Sequence, residues 1–143
     1  MEAVLLHPPL FSSHTLNTTI NLTISILIIN ISISINDVSG LEGRVNKTTL
    51  FTFTVTLSAA YDQAVTMSYQ TVNGTATTSD GDYIATSGTL TFAPGETTKT
   101  ITIEVKGDNK REANEYFYLD MFGNSNNSQF TKYRGIGTIL NDD

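Results

Sequence analysis

Carboxylates gather in the polar stretches between the apolar segments of this 143-residue chain. Eight of the 14 acidic residues lie in such stretches: Glu42, Asp80, Asp82, Asp108, Glu112, Glu115, Asp142 and Asp143. Carboxylates that come close together repel one another, and they take up protons or move apart unless a cation joins them. Oxygen donors without His or Cys suit a hard divalent cation, and calcium accepts them in flexible geometry. Magnesium fits less well, because it keeps its waters.

Catalytic uses of these residues find little support in the sequence. A glycosidase needs two carboxylates at a fixed separation across a cleft, and a single small domain without tryptophan offers no deep cleft. Nucleophilic catalysis has no cysteine to draw on, and the only histidines are His7 and His14, near the N-terminus. The net charge of -6 disfavours nucleic acid as a partner. The sequence therefore predicts a protein that is not an enzyme.

Seven segments alternate apolar with polar residues, which is the period of a half-buried β-strand. Threonine and β-branched residues dominate them, turn residues separate them, and no segment shows a helical period. The predicted strands A to G are residues 31–35, 50–58, 64–72, 88–92, 97–105, 116–121 and 136–140. The pattern predicts an all-β fold, a seven-stranded antiparallel immunoglobulin-like β-sandwich.

Alternating chain direction places the acidic stretches at one end of such a sandwich. Consecutive antiparallel strands run in opposite directions, so the ends of strands A, C, E and G emerge at the same pole. The eight acidic residues follow these four strands, whereas the opposite loops hold only Asp62 and Glu96 as acids. We call the first end the acidic pole. A solvated rim without any metal would give the same pattern.

The first 30 residues differ from the rest. Residues 17–26 are low in complexity and alternate apolar with polar, which fits a disordered leader, an extra strand or the end of a preceding module. The N-terminus has Glu2 and no Lys or Arg before its apolar residues, unlike a secretory signal. Polar residues interrupt the apolar stretch 20–35, so we expect no membrane insertion. The sequence predicts a fragment of a longer protein, with the domain in residues 31–143.

Ordered motifs across residues 31–143 carry a family resemblance. They are LEG at 41–43, NGTA at 73–76 leading to GDY at 81–83, SGTLTFAPGE at 87–96, GD at 107–108 followed by EANEYF at 112–117, and GTILNDD at 137–143. With these motifs in this order, the chain resembles the Calx-beta domain. This domain is found in the regulatory region of sodium–calcium exchangers, in integrin β4 and in many bacterial surface proteins. The resemblance implies the same sandwich with Ca²⁺ at the acidic pole.

The resemblance also implies a ligand set. Carried over by position, the side-chain ligands are Glu42, Asp82, Asp108, Glu112, Glu115, Asp142 and Asp143, with the backbone carbonyl of Lys110 as a further donor. Gly107 and Asn141 stand where the exchanger domain has aspartates, so two carboxylates are missing. Nearby basic residues (Lys106, Lys110 and Arg111) weaken the negative potential further. We expect one or two calcium ions.

The sequence leaves two functions open. The first is a calcium-binding module of a larger surface or membrane-associated protein, extracellular or at the cell surface. Such a module would serve adhesion or cell communication, with adjacent domains and a protein adhesion partner. The alternative is a metal-free structural spacer or protein-interaction repeat, which would make its contacts through strand edges and loops. An intracellular calcium sensor fits less well, because the ligand set is depleted.

Overall fold

The computed structural model describes residues 30–142, which form nine β-strands. In chain order they are β1 (Ile31–Ile35), β2 (Val38–Leu41), β3 (Thr48–Leu57), β4 (Val65–Asn73), β5 (Ser87–Phe92), β6 (Thr98–Lys106), β7 (Glu115–Phe122), β8 (Ser128–Lys132) and β9 (Arg134–Leu140). Within these residues, no helix is long and apolar enough to cross a membrane. The leader predicted for residues 1–30 lies almost wholly outside the described residues and stays a prediction.

The burial pattern of β3 shows how the sequence makes a sandwich. Phe51, Phe53 and Val55 are buried on one face of the strand, and the threonines between them lie on the other face. β6 repeats this alternation with Ile101 and Ile103 inward. Successive side chains of a strand point to opposite faces, so each apolar set packs against the facing sheet while the threonines meet solvent.

Two sheets build the domain. One has the strand order β6-β3-β1-β8, and the other has the order β2-β9-β7-β4-β5. The predicted all-β sandwich is confirmed, although nine strands stand where seven were predicted. Five of the seven strand pairings in residues 30–142 are antiparallel, and the pairs β1–β8 and β2–β9 are parallel.

Strand β2 lies just after predicted strand A, in a stretch where no strand was predicted, and it accounts for one of the extra strands. The chain leaves β1 after Ile35 and enters β2 at Val38. Asn36 Oδ1 accepts a hydrogen bond from the Thr54 amide at 2.8 Å, and Asp37 Oδ1 accepts one from the Ile136 amide at 2.9 Å. The first bond fastens the crossing to β3 in one sheet, and the second fastens it to β9 in the other.

Phe117 on β7 is fully buried at the centre of the core. The ring of Tyr83 stacks on it with 4.4 Å between centroids, and Phe51 and Phe53 approach it from the facing sheet at 6.1 Å each. Aromatic pairs in such geometry stabilise a core beyond the area that they bury. Gly137, the partner of Phe117 on β9, makes room for the ring, since a Cβ there would lie 2.5 Å from Phe117 Cζ.

Gly137→Ala is expected to lower the free energy of unfolding by about 2 kcal/mol, because overpacking of a filled core costs about 1–3 kcal/mol. Urea denaturation should show a lower midpoint with an unchanged m-value. Thr138→Ala is the matched control, since its side chain lies on the outer face, and it should change the free energy by no more than about 0.5 kcal/mol. Equal midpoints for Gly137→Ala and the parent chain would contradict the packing described here.

Candidate metal centre

Glu42 is the buried residue of the acidic pole. It follows β2 directly, and only 5% of its surface is exposed. Its amide donates to Leu140 O at 3.1 Å, and its Oε2 accepts a hydrogen bond from the Asp108 amide at 3.2 Å. A carboxylate at such depth is stable as an anion only where charges or hydrogen bonds replace the lost water. Glu42 therefore joins the ends of β2 and β9 to the loop after β6.

The loop between β4 and β5 fixes the position of Asp82. Gly81 has a φ of 80°, a conformation that glycine adopts without steric cost. Asp82 Oδ2 accepts a hydrogen bond from the Thr77 amide, and Asp82 O accepts one from the Lys106 amide, each at 2.9 Å. The next residue, Tyr83, is buried against the core. The backbone before and after Asp82 is thus held, and so is the direction of its carboxylate.

Three further carboxylates lie in the loop between β6 and β7 or at the first residue of β7. Asp108 Oδ1 accepts a hydrogen bond from the Lys110 amide at 2.7 Å, which closes an Asx-type turn. Glu115 is the first residue of β7 and lies opposite Ile139 of β9. Glu112 lies in the loop between them and is partly buried. This loop therefore brings acids to the pole from both of its ends.

The carboxylates form two overlapping groups. Glu42, Asp108 and Glu112 make one group, and Asp82, Glu112 and Glu115 make the other. Within each group, one oxygen per residue can be chosen so that all lie within 4.8 Å of one another. Calcium–oxygen bonds of about 2.3–2.6 Å place opposite ligands about 5 Å apart. Each group therefore fits inside one coordination sphere, and Glu112 belongs to both.

Mutual repulsion and burial raise the pKa of two of these carboxylates. The pKa of Glu115 is raised to about 7, first by burial and then by the charge of Asp82 and a hydrogen bond with it. Burial also raises the pKa of Glu112, with the charges of Asp108 and Asp82 acting in the same direction and Lys110 opposing them. Burial and the neighbouring charges thus favour the protonated form of both carboxylates.

Asn141 adds an amide oxygen to the site. A recess of about 10 Å³, enough for one water-sized sphere or a single ion, lies between the groups. It is lined by Glu42, Asp82, Lys106, Glu112, Ala113, Glu115, Ile139 and Asn141. Asn141 Oδ1 is buried without a hydrogen-bond partner in the described residues. A buried oxygen of this kind costs free energy when nothing donates to it, and a hard cation would meet that need. The donor set and the recess both fit calcium.

The structure brings together some of the predicted ligands and not others. Glu42, Asp82, Asp108, Glu112 and Glu115 form the two groups. Asp142 is exposed and belongs to neither group, and Asp143 lies outside the described residues. Lys110 is also exposed, and the donor predicted for it is its backbone carbonyl. As calcium ligands, all eight predicted residues stay predictions.

Two polar residues at the pole were left out of the predicted ligand set. Asp80 belongs to neither group, but its charge contributes to the raised pKa of Glu112 and Glu115. Asn141 was counted only as a missing carboxylate, yet it supplies the partnerless oxygen. The signal for Asn141 was its residue type, because calcium accepts amide oxygens as well as carboxylates.

Two packed sheets, with oxygen donors from four chain segments at one pole, define an immunoglobulin-like β-sandwich with an acidic pole suited to a cation. A family model for the Calx-beta domain matches residues 30–140. The chain belongs to the Calx-beta domain family.

Solved Calx domains share this fold. The apo-form Calx CBD1 domain superposes with a TM-score of 0.69 at 24% sequence identity, covering 80% of this chain and 100% of that one. The calcium binding domain CBD12 of CALX1.1 superposes with a TM-score of 0.67 at 23% sequence identity, covering 78% of this chain and 46% of that one. The Calx CBD2 domain gives 0.61 at 15% identity, covering 78% of this chain and 87% of that one. This chain therefore spans less than half of the CBD12 chain.

Proposed function

We propose that this domain binds calcium at its acidic pole. The observation that carries the proposal is the pair of carboxylate groups that share Glu112. Four of their five carboxylates line one recess with Asn141, whose buried oxygen has no hydrogen-bond partner in the described residues. Membership of the Calx-beta family supports it, as does the likeness to a structure described as a calcium binding domain. Two groups with one shared residue supply enough oxygens for one or two ions, with waters completing each sphere.

A bound ion would connect loops that are separate in sequence and so stabilise the folded domain. Glu42, Asp82 and Glu112 come from three separate connections of the sandwich, and without a cation the charge of Asp82 opposes that of Glu112. An ion that binds only the folded state stabilises it by about 2.7 kcal/mol at a hundredfold excess over its Kd. We propose a structural role for the ion and no catalytic one.

The same proposal extends to the protein that contains the domain. A calcium clamp beside the end of β9 would stiffen the connection to an adjacent domain, because Asn141 follows that strand directly. Such stiffening suits a module in a surface or membrane-associated protein that serves adhesion or cell communication. A protein adhesion partner would then contact the domain outside the acidic pole, and we propose an extracellular or cell-surface location.

Calcium at millimolar concentration is expected to raise the melting temperature by about 10 °C, given about 3–4 °C per kcal/mol for a domain of this size. Scanning calorimetry in chelator and in calcium measures the shift, and isothermal titration gives the number of ions. Magnesium at the same concentration is the control and should raise the midpoint less, since it keeps more of its waters. An unchanged midpoint together with no heat of binding would contradict the proposal and favour a metal-free spacer.

Asn141→Asp is expected to tighten calcium binding about tenfold, because a charged ligand replaces a neutral one at the same place. The same change should lower the melting temperature in chelator, since it adds repulsion to the pole. Asn109→Asp is the matched control, because it adds the same charge to an exposed position beside Asp108. Equal gains in affinity for the two variants would mean that Asn141 contributes only long-range charge.

A further inference from the structure

Each sheet has two edge strands, and three of these four edges are protected within the described residues. Residues 82–84 run beside β6, where the Lys106 amide donates to Asp82 O and the Ile84 amide donates to Glu104 O, each at 2.9 Å. β8 ends on Lys132, whose ammonium donates to Ile35 O at 2.8 Å. β2 is only four residues long. A covering segment, a lysine in the edge strand and a short edge strand are three ways in which proteins prevent pairing at a sheet edge.

The fourth edge, β5, has none of these protections within residues 30–142. Its six residues, SGTLTF, include no charged residue and no proline. The first three and Thr91 are exposed, and only Leu90 and Phe92 turn toward the core. An uncharged edge of this length is a template for a further strand.

Backbone geometry leaves a row of hydrogen-bonding groups along the outside of β5. The Thr71 amide donates to Thr86 O at 2.9 Å, so this pair is a hydrogen-bonded one. Such pairs alternate along an antiparallel ladder. Thr86 and every second residue after it therefore face β4, and the amides and carbonyls of Ser87, Thr89 and Thr91 face away from it. Within residues 30–142, no backbone or side-chain group bonds to these outward amides and carbonyls.

We propose that a second copy of this chain pairs antiparallel with β5 across a twofold axis at Thr89. In this arrangement Thr89 lies opposite Thr89, and Ser87 of each copy lies opposite Thr91 of the other. The three outward residues of each copy would exchange about six backbone hydrogen bonds. The pairing joins the two five-stranded sheets into one continuous sheet, and it is independent of calcium.

The distribution of charge favours a second copy in this orientation. β5 begins after the loop that carries Asp80 and Asp82 and runs toward the opposite end of the sandwich. Antiparallel pairing places the two acidic poles at opposite ends of the dimer, about 20 Å or more apart. Salt screens charges beyond about 8–10 Å. A charged residue at the axis would face its own copy, and the uncharged sequence of β5 avoids this repulsion.

Sedimentation velocity of the full chain from about 1 μM to about 0.5 mM tests the proposal, with the expected result a monomer–dimer equilibrium in chelator and in calcium. Thr89→Lys and Thr89→Asp are each expected to raise the dimer Kd about tenfold or more, because like charges would lie directly opposite one another. An equimolar mixture of the two variants is expected to restore the dimer. Thr102→Lys, at an exposed position on β6, is the matched control and should leave the Kd unchanged.

Two results would overturn the proposal. One is a chain that stays monomeric at about 0.5 mM, and the other is a dimer that both Thr89 variants leave intact. If the chain is monomeric but a peptide of the sequence SGTLTF shifts the amide resonances of Ser87, Thr89 and Thr91, the edge accepts a strand from another protein and self-pairing is wrong. Thermal melts check the fold of each variant, and they should be nearly unchanged because Thr89 is exposed.

Discussion

Glu112→Gln is expected to lower the calcium affinity of this domain about a hundredfold or more, equivalent to about 2.7 kcal/mol. Glu112 is the residue that both carboxylate groups share, so its loss removes one charged ligand from each. The amide keeps the size of the side chain but carries no charge, and its remaining oxygen is a weaker ligand for a hard cation. Most of the melting-temperature rise that calcium gives to the parent chain should disappear.

The metal-free form of Glu112→Gln separates a ligand from a structural residue. Without calcium, Glu112 lies among the charges of Asp108 and Asp82, which raise its pKa along with burial. Removing its charge relieves that repulsion, so the variant should melt no lower than the parent chain in chelator. Glu104→Gln is the matched control, because Glu104 is exposed on β6 outside both groups. A Glu112→Gln variant with parental calcium affinity would show that the shared carboxylate is not a ligand.

The strands and their burial were predictable from the sequence because alternation is a local signal. Phe51, Phe53 and Val55 recur every second residue, and this alternation is enough to predict a strand with one buried and one solvated face. The short strand β2, which follows predicted strand A but joins the other sheet, was not predictable in this way. Alternation tells which face of a strand is buried but not which sheet the strand joins. The crossing at Asn36 and Asp37 depends on hydrogen bonds to β3 and β9, which are distant in sequence.

The candidate site was likewise predictable from the sequence only in part. Alternating strand direction predicts that acids from several loops meet, and Glu42, Asp82 and Glu115 do lie at one pole. The direction of each side chain depends on loop contacts such as the Thr77 amide on Asp82, which residue spacing does not encode. Asn141 was overlooked for a related reason. Its residue type permits an amide ligand, but the burial of its oxygen without a partner depends on the folded arrangement.

The metal-free domain is expected to lose stability as the pH rises from about 5 to about 8. Burial, and then the charge of Asp82, raise the pKa of Glu115 from its usual 4.5 to about 7 in the folded protein. Between these values the folded state holds a proton that the unfolded state has released, so the free energy of unfolding falls as the pH rises. The shift corresponds to about 3 kcal/mol, and partial solvent screening reduces this to about 1–2 kcal/mol.

Groups with a lowered pKa act outside this window. A hydrogen bond from Lys132 lowers the pKa of Asp37, and one from the Ala93 amide lowers the pKa of Glu96. The stability that these groups contribute is present above their unfolded values and is lost only below about pH 4. Glu112, whose pKa burial raises, acts in the same direction as Glu115. The slope between about pH 5 and about pH 8 therefore reports the carboxylates of the acidic pole.

Saturating calcium is expected to remove this slope, because the ion displaces the proton from the same oxygens. Urea denaturation at about pH 5.5, 6.5 and 8, in chelator and in saturating calcium, measures both profiles. Glu115→Gln should flatten the metal-free profile, since the side chain no longer titrates, whereas Glu104→Gln should leave it unchanged. The calcium-induced gain in stability should be largest at the highest pH. A metal-free domain that is equally stable across this range would contradict the crowding of carboxylates from which the calcium site is inferred.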